Sequence, residues 1–398
     1  MSPQSSLASK DSIKVGIIGL SIGSGVRFVP PWAYVAHYPA LAKIPEKYQI
    51  SSILNSTLSS AEAAVNNLSL NTTKPFDSLD KFAQYESNDL VTVSVRVPLH
   101  KQLLLPNIES NKNIFSEWPL GASTNEAESI LKLVKEKDLK TVIGLQKRKA
   151  PAILKIKELI SSNKIGRITS VSLSAVSELG GPTRAESLSS YIFESKNGAN
   201  FFTIPFGHTL DGLLYAVGKK VKSVKANVLT LYKEQQLVDL DSKLVGKVVS
   251  KDTVDHISIA GLLTDNTPIT IEFRGGSSSR VGNRNLHVEI HGTKGDILYE
   301  SDSAFSELAP IDLSYSYEGS DGVVKFDNGK DYNATVDNVL GLYESYYEYK
   351  DTQGSRQGFE KDGFPTFEDS VILHRLLDRI VESSNTGKEI DVKDIYEF

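Results

Sequence analysis

From residue 13 to residue 145 the chain alternates short apolar runs with stretches of helical periodicity, and this alternation restricts the fold more than any other feature. The runs are Ile13–Leu20 (IKVGIIGL), Tyr48–Leu54, Leu90–Val95 (LVTVSV), Asn113–Ser116 and Thr141–Leu145, and they read as buried strands. Helices are predicted at Trp32–Ile44, opened by Pro30-Pro31, and at Ser60–Leu68, Leu79–Tyr85, Lys101–Ser110 and Thr124–Lys137. Strands alternating with helices mean a parallel sheet with helices on both faces.

Past Leu145 the rhythm changes. A helix at Ala150–Ser161 is followed by strands of period-two alternation at Ser170–Ala175, Val221–Leu229, Ile257–Leu263, Ile269–Arg274 and Leu286–His291. Gly, Asn and Asp turns separate them, which predicts a half-buried antiparallel sheet. Glu307–Asp331 is polar and reads as a long loop or irregular hairpin. Phe367–Glu382 reads as a closing helix, capped at Thr366 and with acids in its first turn.

Composition works mainly by exclusion. With 398 residues, 40% of them hydrophobic and 23% charged, the chain is long enough for two globular domains, each with its own core. The net charge is −5 and the densest basic patch is Lys147-Arg148-Lys149, too little for phosphate neutralisation, so no direct nucleic-acid binding is expected. There are no cysteines, which excludes disulfides, thiolate nucleophiles and Cys-ligated zinc. Histidines 37, 256, 287, 291 and 374 are read as structural, and no metal site is expected. Met1–Ser12 lacks the apolar stretch of a signal peptide, and no apolar run reaches the roughly 18 residues of a membrane span. The expected location is therefore cytoplasmic and/or nuclear, with no membrane partner.

The first strand runs into Gly19-Leu20-Ser21-Ile22-Gly23-Ser24-Gly25, a loose version of G-x-G-x-x-G with Ser21 at the middle glycine. A loop that follows a buried strand and precedes a helix can hold a pyrophosphate, so Gly19, Ser21, Ile22 and Gly23 are candidate contacts to NAD or NADP. The bland alternative is a glycine-rich turn with no ligand. Strand two ends at Asn55. An acid there would bind the adenosine ribose and repel a 2′-phosphate; asparagine leaves the choice between NAD and NADP open.

Several further blocks share one pattern: Val97-Pro98-Leu99-His100, Glu117-Trp118-Pro119-Leu120, Leu145–Pro151 (LQKRKAP), Ser162–Ile168 (SNKIGRI), Gly207-His208-Thr209-Leu210-Asp211, Ile290–Asp296 (IHGTKGD) and Phe364–Asp369 (FPTFED). Together with His37–Ala40 (HYPA), they resemble the glucose–fructose oxidoreductase / inositol dehydrogenase family over residues 13–398, and within it the fungal repressors of the galactose regulon. The resemblance implies an α/β Rossmann domain plus an α+β C-terminal domain with a large, mostly antiparallel open sheet. The expected organisation is a disordered tail at 1–12, an NAD(P)-binding Rossmann domain at 13–147, and at 148–398 a domain for substrate or partner binding and dimerisation. The resemblance also implies a homodimer, and an acidic activation-domain peptide as protein partner. It adds Trp32, Val97, Pro98, Glu117, Trp118, Gln146 and Arg148 to the cofactor contacts, beside Asn55 and His100, which stand just past the C-terminal ends of parallel strands, where ligands bind in such sheets. Trp32 is read either as an aromatic anchor or as a core residue.

Enzymes of this family carry Glu-Lys-Pro where this chain has Glu117-Trp118-Pro119, and the lysine exchanges the proton during hydride transfer. Tryptophan has no titratable proton for that work. The acid that usually stands four residues before the histidine of the Gly-His block is replaced by Ile204. His208 remains, either as a catalytic group polarising a carbonyl or as a structural residue. Lys147 and Lys149 are expected to face cofactor phosphate or solvent, with substitution for the missing lysine as the alternative. Three functions follow: a cofactor-binding, non-catalytic repressor of galactose metabolism; an NAD(P)-dependent oxidoreductase acting on a sugar or polyol; and a plain dinucleotide-binding scaffold.

Overall fold

The computed structural model describes residues 12–23, 31–177, 179, 181, 185–239, 243–276, 284–305, 307–350 and 363–398. The tail expected at 1–12, apart from its last residue, and the second half of the glycine loop, including Gly25, lie outside the described residues. The chain folds into two units. One comprises Met1–Gly144 with Thr335–Val371, the other Leu145–Ala334 with Ile372–Phe398.

In the first unit, strands β1 (Ile13–Ile18), β2 (Tyr48–Leu54), β3 (Lys74–Phe76), β4 (Leu90–Val93), β5 (Asn113–Glu117) and β6 (Thr141–Gly144) form one sheet. Its order is β3-β2-β1-β4-β5-β6, and every pairing is parallel. This is the doubly wound dinucleotide-binding order. The helices are α1 (Tyr38–Ala42), preceded by a π-helical turn at Ala33–His37, then α2 (Leu58–Asn67), α3 (Leu79–Ala83), α4 (His100–Glu109) and α5 (Thr124–Glu136). Local chemistry sets their starts. Thr57 accepts the Ser60 N–H at α2, and at α5 Ser123 accepts the Glu126 N–H while the Glu126 carboxylate takes the Ala122 N–H.

In the second unit, α6 (Pro151–Ser161) leads into β7 (Ile168–Ser177). A small sheet follows the order β11-β10-β8, from β8 (Ala185–Glu186), β10 (Glu234–Val238) and β11 (Leu244–Ser250); helix α7 spans Gly207–Val217. The large sheet adds β9 (Val221–Leu229), β12 (His256–Leu263), β13 (Pro268–Gly275), β14 (Leu286–Gly292), β15 (Gly295–Ser301), β16 (Asp312–Tyr317), β17 (Val324–Lys325) and β18 (Ile390–Asp391). Its open order is β17-β16-β15-β14-β7-β13-β12-β9-β18. Among the described residues of this large sheet, β7 and β13 alone pair parallel, and the long chain between them supplies the crossover that a parallel pair needs. The polar segment Glu307–Asp331 contributes β16 and β17, so it is an irregular hairpin at the sheet edge.

The structure differs from a single division after residue 147. Helix α8 (Ala334–Tyr349) belongs almost wholly to the first unit, and α9 (Phe367–Thr386) begins there. The reason is packing. Val336, Val339, Leu342, Tyr343 and Tyr346 of α8 are buried in the same core as Ala40, Leu41, Tyr48 and Ile50. Tyr48 donates its hydroxyl to the Tyr343 carbonyl at 2.6 Å. At about 1.5–3 kcal/mol per fully buried large side chain, this face contributes on the order of 10 kcal/mol to the first core. The start of α9 is anchored to β6, since Phe367 N–H donates to the Thr141 hydroxyl and Asp369 accepts the Thr366 N–H at 2.7 Å.

Candidate functional site

Glycine 19 closes β1 with φ +96°, a left-handed conformation that disfavours side chains, and a Cβ there would come 2.3 Å from the Ser94 carbonyl oxygen. The backbone of β1 thus passes hard against the end of β4, and only glycine permits it. Gly19 N–H donates to the Leu54 carbonyl, and Ser21 N–H to the Gly19 carbonyl at 3.1 Å. Asn55, just past β2, ties the loop down by donating its Nδ2 to the Leu20 carbonyl at 2.8 Å and to the Ser60 hydroxyl at 3.2 Å. Its Oδ1 is buried and has no hydrogen-bond partner among the described residues. The Ser94 hydroxyl and the Trp32 indole N–H share that condition. Ile22 and Trp32 rest their apolar surface on the first core, so Trp32 combines core packing with an unused donor.

Orphaned buried polar atoms cost free energy unless a ligand or water satisfies them, and a glycine-closed first strand is where a dinucleotide comes in a sheet of this order. The residues present fit the cofactor that the motif implies.

Beyond β4, Val97–Leu99 forms a tight 3-10 turn in which Val97 is buried and Pro98 exposed. His100 is wholly buried, and its Nε2 donates to the Val95 carbonyl at 3.0 Å. Burial lowers its pKa, so it stays neutral and braces the turn.

Glu117 ends β5, and its carboxylate accepts His37 Nε2 at 2.7 Å. Gly144 makes room, since a Cβ there would come 2.4 Å from that carboxylate. His37 Nδ1 meets the Tyr343 hydroxyl at 2.9 Å, and the same hydroxyl meets Thr92 Oγ1 at 2.9 Å. An ionised carboxylate only accepts, so His37 carries its proton on Nε2. Nδ1 then accepts from Tyr343, whose phenol is held protonated by burial, and Tyr343 accepts from Thr92. The result is a directed chain, Thr92 to Tyr343 to His37 to Glu117. Sequence reasoning named only Glu117 of these four. His37 was read as structural, while Thr92 and Tyr343 were not singled out; the signal for Tyr343 lay in the spacing 336, 339, 343, 346. Trp118 is buried, and its bond to Pro119 is cis.

Gln146, Arg148 and His208 all lie in the second unit. Gln146 is buried, with Oε1 unpartnered among the described residues. Arg148, expected at the cofactor, has its fork committed to Asp211 of α7, with Nε–Oδ2 at 2.9 Å and a terminal nitrogen on Oδ1 at 2.6 Å. Its guanidinium also lies 5.2 Å from the Tyr215 ring centre. Lys147 does not face solvent: it is 0% exposed. Its stem runs over Gly212, where a Cβ would meet it at 2.6 Å, and its ammonium lies 5.7 Å from the Tyr299 ring centre. Burial lowers Lys147 to about 8, against the opposing pull of Glu307 and Asp211. Burial raises Glu307 to about 7, and burial together with the Lys147 charge lowers His208 to about 3. His208 is therefore neutral at physiological pH. Ile204 sits in a π-helical turn at Phe202–Phe206, where it supplies no carboxylate.

His287 and His291 stand four residues apart on β14, yet Glu300 takes His287 at 2.8 Å and Asp296 takes His291 at 2.7 Å. Among the described residues no group of three His, Asp or Glu could hold a metal, and no helix is long and apolar enough to cross a membrane.

Residues 13–145 match the oxidoreductase family with an NAD-binding Rossmann fold, and residues 151–301 match the Gal80p C-terminal domain. The galactose/lactose metabolism regulatory protein GAL80 of Saccharomyces cerevisiae is 32% identical over 97% of this chain and 96% of its own length. That of Kluyveromyces lactis is 31% identical over 98% of both. The crystal structure of a super-repressor mutant of Gal80p from S. cerevisiae superposes with a TM-score of 0.90 at 33% identity, covering 97% of this chain and 100% of that one. Levoglucosan dehydrogenase in complex with NADH and L-sorbose shares the fold, with a TM-score of 0.75 at 19% identity over 96% of this chain and 99% of that one. With an NAD-binding Rossmann unit, a Gal80-type second unit and full-length similarity to both regulators, the chain belongs to the Gal80 family of galactose/lactose regulatory proteins.

Proposed function

We propose that this chain is a dinucleotide-binding, non-catalytic regulator that masks the acidic segment of a transcriptional activator, working as a homodimer in the cytoplasm and/or nucleus. Trp118 carries the reading. It stands where the enzymes of the wider family place a proton-transferring lysine, and an indole transfers no proton. Loss of a positioned acid–base group costs about 10²–10⁴ in rate. Ile204, in place of an acid, removes a second polar group. The dinucleotide rests on Gly19, Ser21, Ile22 and Gly23, with Trp32, Asn55, Val97, Pro98, His100, Glu117, Trp118, Gln146 and Arg148 as its further proposed neighbours. Supporting this are the close approach at Gly19 and the unpartnered atoms of Asn55, Ser94 and Trp32.

Calorimetry with NAD and NADP, capture of an acidic-hydrophobic peptide with and without dinucleotide, and a dehydrogenase screen over aldoses and polyols test the proposal. Dinucleotide binding, peptide capture and no turnover are expected. Steady NAD(P)H production on any sugar would overturn it.

One observation favours a second reading, an oxidoreductase acting on a sugar or polyol. The fully buried Lys147, which burial lowers to about 8, interacts with the neutral His208. In that case His208 polarises the carbonyl, and both His208→Ala and Lys147→Met abolish turnover.

A further inference from the structure

We propose that a stripe of imidazoles and carboxylates on the half-exposed face of the large sheet, His287 and His291 among Glu289, Asp296 and Glu300, lies in the contact between two copies of this chain and makes their pairing tighten as pH falls. The proposal rests on the homodimer reading above and adds its regulation.

Strand β14 turns Val288 and Ile290 into the core and leaves His287, Glu289 and His291 on the other side. The register of the sheet sets Glu300 and Asp296 of β15 opposite the two histidines. Both nitrogens of each ring then face carboxylate oxygen. His287 has Nδ1 2.8 Å from Glu300 and Nε2 3.4 Å from Glu289. His291 has Nδ1 2.7 Å from Asp296 and Nε2 3.8 Å from Glu289. A neutral imidazole carries one N–H, so in each ring one lone pair points at an anion. A second proton gives both nitrogens a donor, and histidine is the side chain that changes charge roughly between pH 8 and 5.

The flanking strands set hydroxyls beside the stripe: Ser170, Ser172 and Ser174 of β7, and Ser314 and Ser316 of β16. Ser172 donates to Glu289 at 3.4 Å. The cations of this face are engaged elsewhere or stand at its margins. Arg284 takes Asp312, which lies across from Glu300. Arg274, on β13, has its guanidinium beside Gly276, and on β12 His256 faces Glu272 at 3.3 Å. Lys225 is on β9, while Arg167 and Lys294 belong to the turns before β7 and β15. With neutral rings the stripe therefore carries surplus negative charge, and two protons bring it close to balance.

The same face explains why the occupant is a second copy. From Glu289 the register runs through Ser172, Thr270 and Ala260, small side chains over which another sheet can approach to about 10 Å. A two-fold contact sets a patch on its own duplicate. A patch with surplus charge of one sign repels that duplicate, whereas a balanced one does not. Protons on His287 and His291 thus favour pairing.

The test is sedimentation velocity on the full-length protein at constant ionic strength, with a fluorescent tracer so that a tight dimer can still be diluted apart. The dimer dissociation constant is expected to fall about tenfold between about pH 8 and about pH 6. Glu289→Gln removes the shared charge and should tighten the dimer at the upper pH. His287→Gln combined with His291→Gln should leave the dimer weak throughout and flatten the pH dependence. Melting followed at each pH shows whether the variants stay folded. A dissociation constant that stays level or rises as pH falls would overturn the proton link and leave the homodimer standing. A pH dependence that survives in the folded double variant would overturn the role of the stripe. A protein that is monomeric at every pH would overturn the homodimer reading and this inference with it.

Discussion

Replacing Tyr343 by Phe removes one oxygen and leaves the ring packing of α8 in place. That oxygen serves both His37 Nδ1 and Thr92 Oγ1, each at 2.9 Å, in a wholly buried setting. Without it the imidazole keeps an acceptor with no donor and Thr92 keeps a donor with no acceptor. Each orphaned group costs about 1–3 kcal/mol, partly offset because the phenol hydroxyl no longer has to be desolvated, so a net loss of about 2–3 kcal/mol is expected. At roughly 2–4 °C per kcal/mol, the first unit should melt about 4–12 °C lower. A chain of two units need not unfold in one step, so the readout should be local. Hydrogen exchange of amides in β1, β4 and β5, followed by mass spectrometry, reports the opening free energy of this sheet directly. Adding Thr92→Val removes the second orphan and should recover about 1 kcal/mol, giving a non-additive double-mutant cycle. A loss below about 0.5 kcal/mol, or strict additivity with Thr92→Val, would show that the four groups do not act as a chain.

Gly19→Ala forces a Cβ to 2.3 Å from the Ser94 carbonyl at φ +96°; it should cost about 1–3 kcal/mol and weaken dinucleotide binding at least tenfold, as read by melting and calorimetry. Arg148→Met takes the bidentate partner away from the buried Asp211 carboxylate and should cost about 3–5 kcal/mol in urea unfolding, whereas Arg148→Met with Asp211→Leu should recover part of it. His208 and His374 are both held at about 3 by burial, so the folded state binds fewer protons than the unfolded one below pH 6.5. The stability that this contributes is present above about pH 6.5 and is lost as pH falls towards 3. Melting followed across that range should show a shallower slope for His374→Gln, and an unchanged slope would refute the assignment.

The Rossmann half was legible because its signals are local. The β2 run YQISSIL is apolar and bounded by turn residues, and the predicted and observed limits coincide. β3 (Lys74–Phe76) escaped notice because three residues carry no periodicity. Helix α8 was also missed. Its sequence, rich in tyrosine and interrupted by Gly341, has modest helix propensity, and its apolar spacing makes sense only against a core that lies some 300 residues earlier in the chain. Lys147-Arg148-Lys149 looked like a basic surface patch. Lys147 and Arg148 are buried because Asp211 and Glu307, distant in sequence, compensate them, and no window along the chain contains that information. The sequence names Asn55 as a cofactor contact, but which of its two side-chain atoms lacks a partner among the described residues depends on the Leu20 carbonyl.

The return of α8 to the first core has a consequence for how the protein is made. A ribosome delivers the six strands of that sheet before residue 145, but the helix that seals Tyr48 and Ala40 arrives nearly 200 residues later. Until then the nascent sheet carries an uncovered apolar flank, the kind of surface that holdase chaperones engage. No single cut of the gene yields the Rossmann unit whole: expression of residues 1–147 alone should give an aggregation-prone fragment, which a separately supplied α8 segment could rescue.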